Sequence, residues 1–156
     1  MVDDRQPHRG ERRPRSASGG WSSPGRARPV QPKSTAGDGD RAAQDGPPFP
    51  PGVDAKQLAP EIRRELSTLD RATADAVARH LVAAGELIDA DPEAALRHAR
   101  AARARSSRIA VVREAVGIAA YQCGDWAQAL AELRAARRMG SKSSLLALIA
   151  DCERGL

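Results

Sequence analysis

The side chains best suited to hold a ligand in this sequence are arginines repeated at helical spacing. One group lies on a single predicted helix and comprises Arg97, Arg100 and Arg103, and the matching part of a later helix carries Arg134, Arg137 and Arg138. Because residues three and four apart are neighbours on a helix surface, the two groups predict a basic strip across two packed helices. Such a strip is either a solvated outer face or a contact for an acidic or nucleic-acid partner.

No pattern typical of a catalytic, metal or cofactor site accompanies these arginines. His80 and His98 have no carboxylate or cysteine at ligand spacing. Cys123 and Cys152 form no CxxC pair, and both stand in apolar runs that favour burial. The glycines match neither common phosphate-loop pattern. We therefore expect a protein without enzymatic activity, bound metal or cofactor.

Charge and hydropathy limit the environment in which the chain works. The net charge of +5 and the pI near 10.0 favour acidic partners such as RNA, DNA, anionic lipid or acidic protein segments, unless they only reflect the Arg and Ala codons of a high-GC genome. No apolar run approaches the length of a membrane-spanning helix, and the basic N-terminus lacks the apolar stretch of a secretory signal. The expected location is the cytoplasm, with no membrane contact.

The first 52 residues differ in composition from the rest of the chain. They hold nine of the 11 prolines and eight of the 13 glycines, with few large apolar side chains. Such a segment cannot bury enough apolar surface to offset the entropy of ordering it, so we expect a disordered tail over residues 1–52. The tail is basic around His8–Arg15 and contains Trp21. It is either a solvated linker or a weak arm for nucleic acid or an acidic partner.

Residues 53–156 instead show helical periodicity throughout, with no credible strand. The spacing of apolar residues predicts about six helices joined by short loops, and therefore antiparallel neighbours. The predicted N-caps are Asp70, Asp91 and Asp125. Gln128 stands at capping-box spacing from the last of these, Ser106 or Ser107 is predicted to cap the fourth helix, and Gly124 is predicted to end it. The predicted fold class is all-α.

Two stretches of this helical domain resemble each other when one is shifted by 34 residues. The shift places Ala95 on Ala129 and Ala102 on Ala136. A repeat of this length with two helices is typical of stacked helical hairpins. In this frame the small, turn and large apolar packing positions are Ala83, Ala95, Ala102, Gly117, Gly124, Trp126, Ala129, Leu133 and Ala136.

The pattern resembles the tetratricopeptide repeat (TPR) family, in a short bacterial-type form. Residues 110–143 fit the family's frame better than residues 76–109, and residues 144–156 resemble a capping or truncated helix. The resemblance implies a TPR-like α-solenoid of stacked antiparallel hairpins. Arg79 and Arg113 depart from it, because the family usually carries Trp or another large apolar residue at these positions.

The resemblance also implies a concave groove lined by the first helix of each hairpin. The residues that this frame turns toward the groove are Val77, His80, Ala84, Leu87, Val111, Glu114, Ile118, Tyr121 and Gln122, extended by Leu145 and Leu148. These positions are mostly apolar, which excludes the carboxylate-clamping partners of the family's chaperone-binding members. The groove is expected either to hold an amphipathic helix or to be filled by neighbouring helices, including residues 53–69.

The function expected from these patterns is a protein–protein interaction scaffold that binds a peptide or helix of a partner protein. The alternative is an RNA- or ribosome-associated accessory protein that uses the tail and the basic strip. A third interpretation is a fragment of a longer array whose missing repeats carry the function. Self-association is a further alternative for the partner, because the helix over residues 144–156 is apolar over a broad arc.

Overall fold

The computed structural model describes residues 46–156, and this part of the chain is all-α with no strand, as predicted. Its helices are α1 (Pro60–Glu65), α2 (Arg71–Leu87), α3 (Pro92–Arg105), α4 (Ala110–Gln122), α5 (Trp126–Arg138) and α6 (Leu146–Gly155). Two 3-10 turns flank α1, at Ala55–Gln57 and Leu66–Thr68. The prediction of a disordered tail falls, for residues 1–45, outside the described residues.

The three aspartates predicted to begin helices all do so. In each case one carboxylate oxygen accepts a hydrogen bond from the backbone N–H three residues later, at 3.0–3.1 Å. The bonds run from Thr73 to Asp70, from Ala94 to Asp91 and from Gln128 to Asp125. Each bond satisfies a backbone donor that a helix start leaves without an intrahelical partner. These caps place the beginnings of α2, α3 and α5.

Two other predicted caps are wrong. Gln128 does not complete a capping box, because its side-chain oxygen accepts a hydrogen bond from Arg100 of α3 instead. Neither Ser106 nor Ser107 caps α4, whose N-cap is Ile109 without a side-chain hydrogen bond. The Ser106 hydroxyl instead donates back to the Ala102 carbonyl at 3.0 Å and closes the end of α3. Gln128 has a partner on another helix, whereas Ser106 bonds back to a carbonyl four residues earlier in its own helix.

The longer helices pack as antiparallel neighbours. Each of α2 to α5 packs against the next helix along the chain, and α2 also contacts α4, as α4 contacts α6. Tyr121 near the end of α4 lies against Trp126 at the start of α5, whereas Gly117 earlier in α4 meets Leu133 later in α5. Contacts therefore move backward along α4 as they move forward along α5, which is the pattern of an antiparallel pair.

A glycine permits the close crossing of α4 and α5. A Cβ atom on Gly117 would lie 2.7 Å from Leu133 Cδ2, a distance at which something must move. Gly124 ends the same helix with a φ of +73°, a conformation that favours glycine. The small and large apolar packing positions are almost inaccessible to solvent: Ala83, Ala95, Ala102, Ala129, Leu133 and Ala136.

Residues 46–69 pack against the longer helices instead of extending away from them. Leu58 and Leu66 are buried in a cluster with Val77 of α2 and Val112 of α4. Phe49, which the sequence assigned to the tail, has its ring centroid 4.6 Å from that of His80. A single aromatic residue among prolines and glycines gave no local signal of this contact, because its partners lie far along the chain.

Candidate partner-binding groove

An open apolar depression lies between α2 and α4. Its volume is about 240 Å³. We call it the α2–α4 groove, and its lining residues are Leu58, Ile62, Leu81, Ala84, Gly85, Ile88, Val111, Glu114, Ala115, Ile118 and Ala119. Both long walls belong to helices, which hold side chains more rigidly than loops do.

Four of the residues predicted for the groove line it: Ala84, Val111, Glu114 and Ile118. Leu87, Tyr121 and Leu148 are half-buried outside this lining, Gln122 is exposed, and Leu145 is buried. On α4 the frame of the TPR resemblance and the observed groove agree, and Ala115 and Ala119 line the groove together with the three residues that the frame named there. The frame fails for the first half of α2, where other parts of the chain cover the expected face.

The prediction is wrong for Val77 and His80, both of which are fully buried. Val77 lies beneath Leu58 and Leu66, which belong to the segment before α2. The His80 ring packs against Phe49 and His98. Val77 and His80 do lie on a contact face of α2, but other segments of this chain cover that face.

The segment before α2 forms a wall of the groove without filling it. Leu58 and Ile62 belong to this segment and border the groove beside the walls of α2 and α4. The two expectations for the groove, a partner helix or residues 53–69, are therefore not exclusive. This segment covers the Val77 end, and the part between Gly85, Ile88 and Ile118 stays open.

Glu114 is the one charged residue among those lining the groove. Its Oε2 accepts a hydrogen bond from the Ser141 hydroxyl at 2.8 Å. Within residues 46–156 no lysine or arginine pairs with this carboxylate. An anionic group thus stands in apolar surroundings, with one hydrogen bond from a neutral donor.

Tyr121 holds the neighbouring end of α4 against α6. Its hydroxyl donates to Asp151 at 3.1 Å, and its ring meets Trp126 edge-on with centroids 5.3 Å apart. The hydrogen bond to Asp151 and the nearby negative charge raise the pKa of Tyr121. These contacts give Tyr121 a structural role in joining α4, α5 and α6.

The predicted basic strip is interrupted by partners from the next helix. Arg103 pairs with the buried Glu132 at 3.1 Å. Arg100 donates to Gln128 and lies 3.9 Å from Asp125, and Arg134 pairs with Glu153 of α6. Arg97, Arg137 and Arg138 are exposed and have no acidic partner among the described residues. Half of the predicted strip therefore joins helices instead of presenting free charge.

The two histidines of the helical domain meet in its interior. His80 Nδ1 and His98 Nδ1 are 3.0 Å apart, and both side chains are buried. Phe49 covers the pair, with the Arg79 guanidinium 4.1 Å from the centre of its ring. Burial lowers the pKa of His98, and the positive charge of Arg97 adds to this effect. The two histidines are 18 residues apart and lie on different helices, so sequence spacing gave no sign that they meet.

The two cysteines, the remaining side chains that could be reactive, are placed for packing. Burial raises the pKa of the Cys123 thiol, with a smaller contribution from the carboxylate of Glu93. Burial likewise raises the pKa of Cys152, whose side chain is inaccessible. A thiol with a raised pKa is a poor nucleophile at neutral pH. In the described part of the chain, no three His, Cys, Asp or Glu residues are grouped so that they could hold a metal ion.

Two observations concern the chain beyond the groove. Among the helices of residues 46–156, none has both the length and the apolar character needed to span a bilayer. The second observation is the comparison with known proteins. Protein-family models, curated proteins and solved structures were all searched, and none of them matches this chain.

Proposed function

We propose that this chain is a protein–protein interaction scaffold whose α2–α4 groove binds a short apolar segment, a peptide or a helix, of another protein. The observation that carries the proposal is the open apolar groove itself. Its volume is about 240 Å³. Pockets for drug-sized ligands start at about 300 Å³, so the groove suits one or two apolar side chains better than a cofactor.

The construction of the groove supports this function. Its lining includes Ala84, Ala115 and Ala119, whose small side chains let a partner backbone approach closely. The walls belong to helices that are anchored on their other faces by the buried core. A preformed site of this kind spends little free energy on ordering when a ligand binds.

The resemblance to TPR proteins supports the same function. The pattern of contacts, in which α2 meets α4 and α4 meets α6, agrees with a stacked arrangement in which first helices adjoin each other. In such arrays the surface formed by the first helices is the concave one, and this is the surface to which the proposal assigns the α2–α4 groove. We therefore extend the proposal to a TPR-like array.

The alternative function, binding of RNA or a ribosome, has less support in the described residues. Arg100, Arg103 and Arg134 already engage side chains of α5 or α6. Each phosphate contact requires a lysine or arginine that can replace the counterions condensed on the nucleic acid. Most of the basic tail lies outside the described residues and adds no structural argument for either function.

The experiment that tests the proposal combines peptide selection with a variant that blocks the groove. A random peptide library displayed on phage is selected on the full chain, and enriched peptides are titrated by fluorescence anisotropy. The blocking variant is Gly85→Trp, because Gly85 lines the groove and an added Cβ meets nothing within 4 Å. The control is Ala131→Trp, at an exposed position of α5 outside the groove.

We expect Gly85→Trp to weaken binding by about 10- to 100-fold, the value of burying one large apolar side chain. Ala131→Trp is expected to bind as tightly as the wild type. Failure to enrich any peptide, or equal binding to all three proteins, would contradict a binding function for this groove. Treating the protein with nuclease before selection checks that bound nucleic acid does not contribute.

A further inference from the structure

We infer that the segment bound in the α2–α4 groove carries a lysine or arginine that pairs with Glu114. This inference rests on the proposed function and specifies the chemistry of the partner: a short apolar segment of another protein with one positive charge at a fixed distance from its apolar anchor. The juxtaposition that carries it is a single carboxylate, Glu114, among ten uncharged lining residues.

Desolvation gives the first argument. A carboxylate offers about four sites for hydrogen-bond donors, and Glu114 receives one donor from the described residues, the Ser141 hydroxyl. An apolar ligand lying over this group would remove water from the remaining sites. Burying an ionised group without a partner is strongly unfavourable, so a wholly apolar segment would bind poorly. A ligand that brings its own cation avoids this cost.

The surrounding charges give the second argument. Lys142 follows Ser141 in the chain, but it borders a different depression together with Glu61, Arg64 and Glu65 of α1. Arg113 precedes Glu114 in α4, but it faces the other way and pairs with Glu132 at 3.0 Å. Arg113 is therefore committed to another acid, and among the described residues no lysine or arginine pairs with the groove carboxylate.

Geometry also favours a specific offset between the cation and the anchor. Glu114 and Ile118 are separated by one helical turn, so they stand next to each other along the wall of α4. Gly85 of α2 and Ile88, the C-cap residue of that helix, line the same groove. A ligand whose apolar side chain fills the space near Gly85 and Ile118 places its next turn beside Glu114.

The test compares the peptides selected by proteins that differ only at position 114. Parallel selections use the wild type, Glu114→Gln and Glu114→Arg. The amide keeps an oxygen that can accept the Ser141 hydrogen bond but removes the charge. Glu86→Gln and Glu86→Arg are the matched controls, because Glu86 is an exposed acid of α2 that does not line the groove. Thermal unfolding verifies that every variant is folded before its peptides are compared.

We expect wild-type peptides to share a Lys or Arg at one offset from an apolar residue. Replacing that residue by Glu should weaken binding to the wild type by about tenfold or more, in line with a hydrogen bond to a charged group. The peptide with this Glu substitution should regain its affinity when it binds the Glu114→Arg protein. Neither Glu86 variant should change the preference for a Lys or Arg in the selected peptides. Raising the salt concentration should weaken binding to the wild type more than to Glu114→Gln.

Three results would overturn the inference, and they are distinguishable. Peptides that depend on Gly85 but bind the wild type and Glu114→Gln equally would leave the groove as a binding site and remove the role of Glu114. Peptides that bind Gly85→Trp as tightly as the wild type, or a selection that enriches no peptide, would contradict the proposed function as well. A wild-type dimer in sedimentation that dissociates on Gly85→Trp would assign the groove to a second copy of this chain.

Discussion

The hairpin of α2 and α3 and the hairpin of α4 and α5 are related by the 34-residue shift, yet they solve the same packing problem with different chemistry. At one equivalent position each buries a polar side chain of the second helix, His98 in the first hairpin and Glu132 in the second. His98 meets another histidine ring, that of His80. Glu132 forms ion pairs with Arg113 of α4 and Arg103 of α3.

The apolar residues at the point where the two helices cross also differ between the hairpins. The first hairpin has Ala83 and Ala99 at the positions where the second has Gly117 and Leu133. All four residues are buried, so the crossing is filled in both hairpins. Two alanines fill it in the first hairpin, and a glycine with a leucine fills it in the second. The comparison teaches that a repeat conserves the space between helices, while the side chains that fill it can be exchanged in compensating pairs.

The largest expected loss of stability comes from removing the buried Glu132, which forms the ion pairs of the second hairpin. Glu132→Ala leaves Arg113, whose side chain is 19% exposed, without its buried counter-ion. We expect the free energy of unfolding to fall by about 3 kcal/mol in urea denaturation. Glu153→Ala removes the partner of Arg134 from a pair that is about half exposed, and should cost less than about 1 kcal/mol. Equal losses would show that the Glu132 contact is no stronger than a surface pair.

The next effect concerns the crossing. Gly117→Ala introduces a Cβ 2.7 Å from Leu133 Cδ2, and we expect it to lower the free energy of unfolding by about 1–3 kcal/mol. In a Leu133→Ala background the same change should cost much less, because the pair then copies Ala83 and Ala99 of the first hairpin. A cost for Gly117→Ala that is the same in both backgrounds would refute this steric coupling.

Acid is expected to destabilise the contact of the first hairpin. His98 has a pKa below its ordinary value of 6.5 in the folded protein, so the unfolded chain takes up its proton first. The contribution to stability is complete above pH 6.5 and is lost as the pH falls from there to the lower folded-state pKa, by at most about 1.4 kcal/mol per pH unit. Urea denaturation across this range should give a flatter curve for His98→Gln. Parallel curves for the two proteins would contradict the expectation.

The smallest effect has the opposite sign. Gly85 lies inside α2, and nothing is within 4 Å of an added Cβ. Gly85→Ala should therefore raise the free energy of unfolding by about 0.5–1 kcal/mol, since glycine loses more backbone entropy in a helix than alanine does. Thermal unfolding measures the gain. A loss of stability would show that the groove collapses onto this position in solution.

Local sequence was sufficient for most helix ends but not for every cap. The carboxylates of Asp70, Asp91 and Asp125 reach backbone donors three residues away, so their role is decided within one turn. Gln128 could reach either its own helix start or Arg100 of another helix, and the longer contact prevailed. The prediction for Gln128 failed because its partner lies outside its own segment.

The groove was predictable on α4 and unpredictable on the first half of α2 for the same reason. The frame of the TPR resemblance named Val111, Glu114 and Ile118, and all three line the α2–α4 groove. The same frame named Val77 and His80 but contained no information that Leu58, Leu66 and Phe49 would cover them. Whether a helix face is open or covered depends on which distant segment packs against it.

The sequence by itself determined that residues 53–156 are helical, where most of those helices begin, and which small residues permit close packing, because these follow from periodicity, capping and side-chain size within a few turns. Only the tertiary structure decided that Arg100, Arg103 and Arg134 join helices, that His80 meets His98, and that segments before α2 cover Val77 and His80 while the groove beside Glu114 stays open. These arrangements arise from contacts between segments that are distant in the chain, and their geometry exists only once the helices have packed.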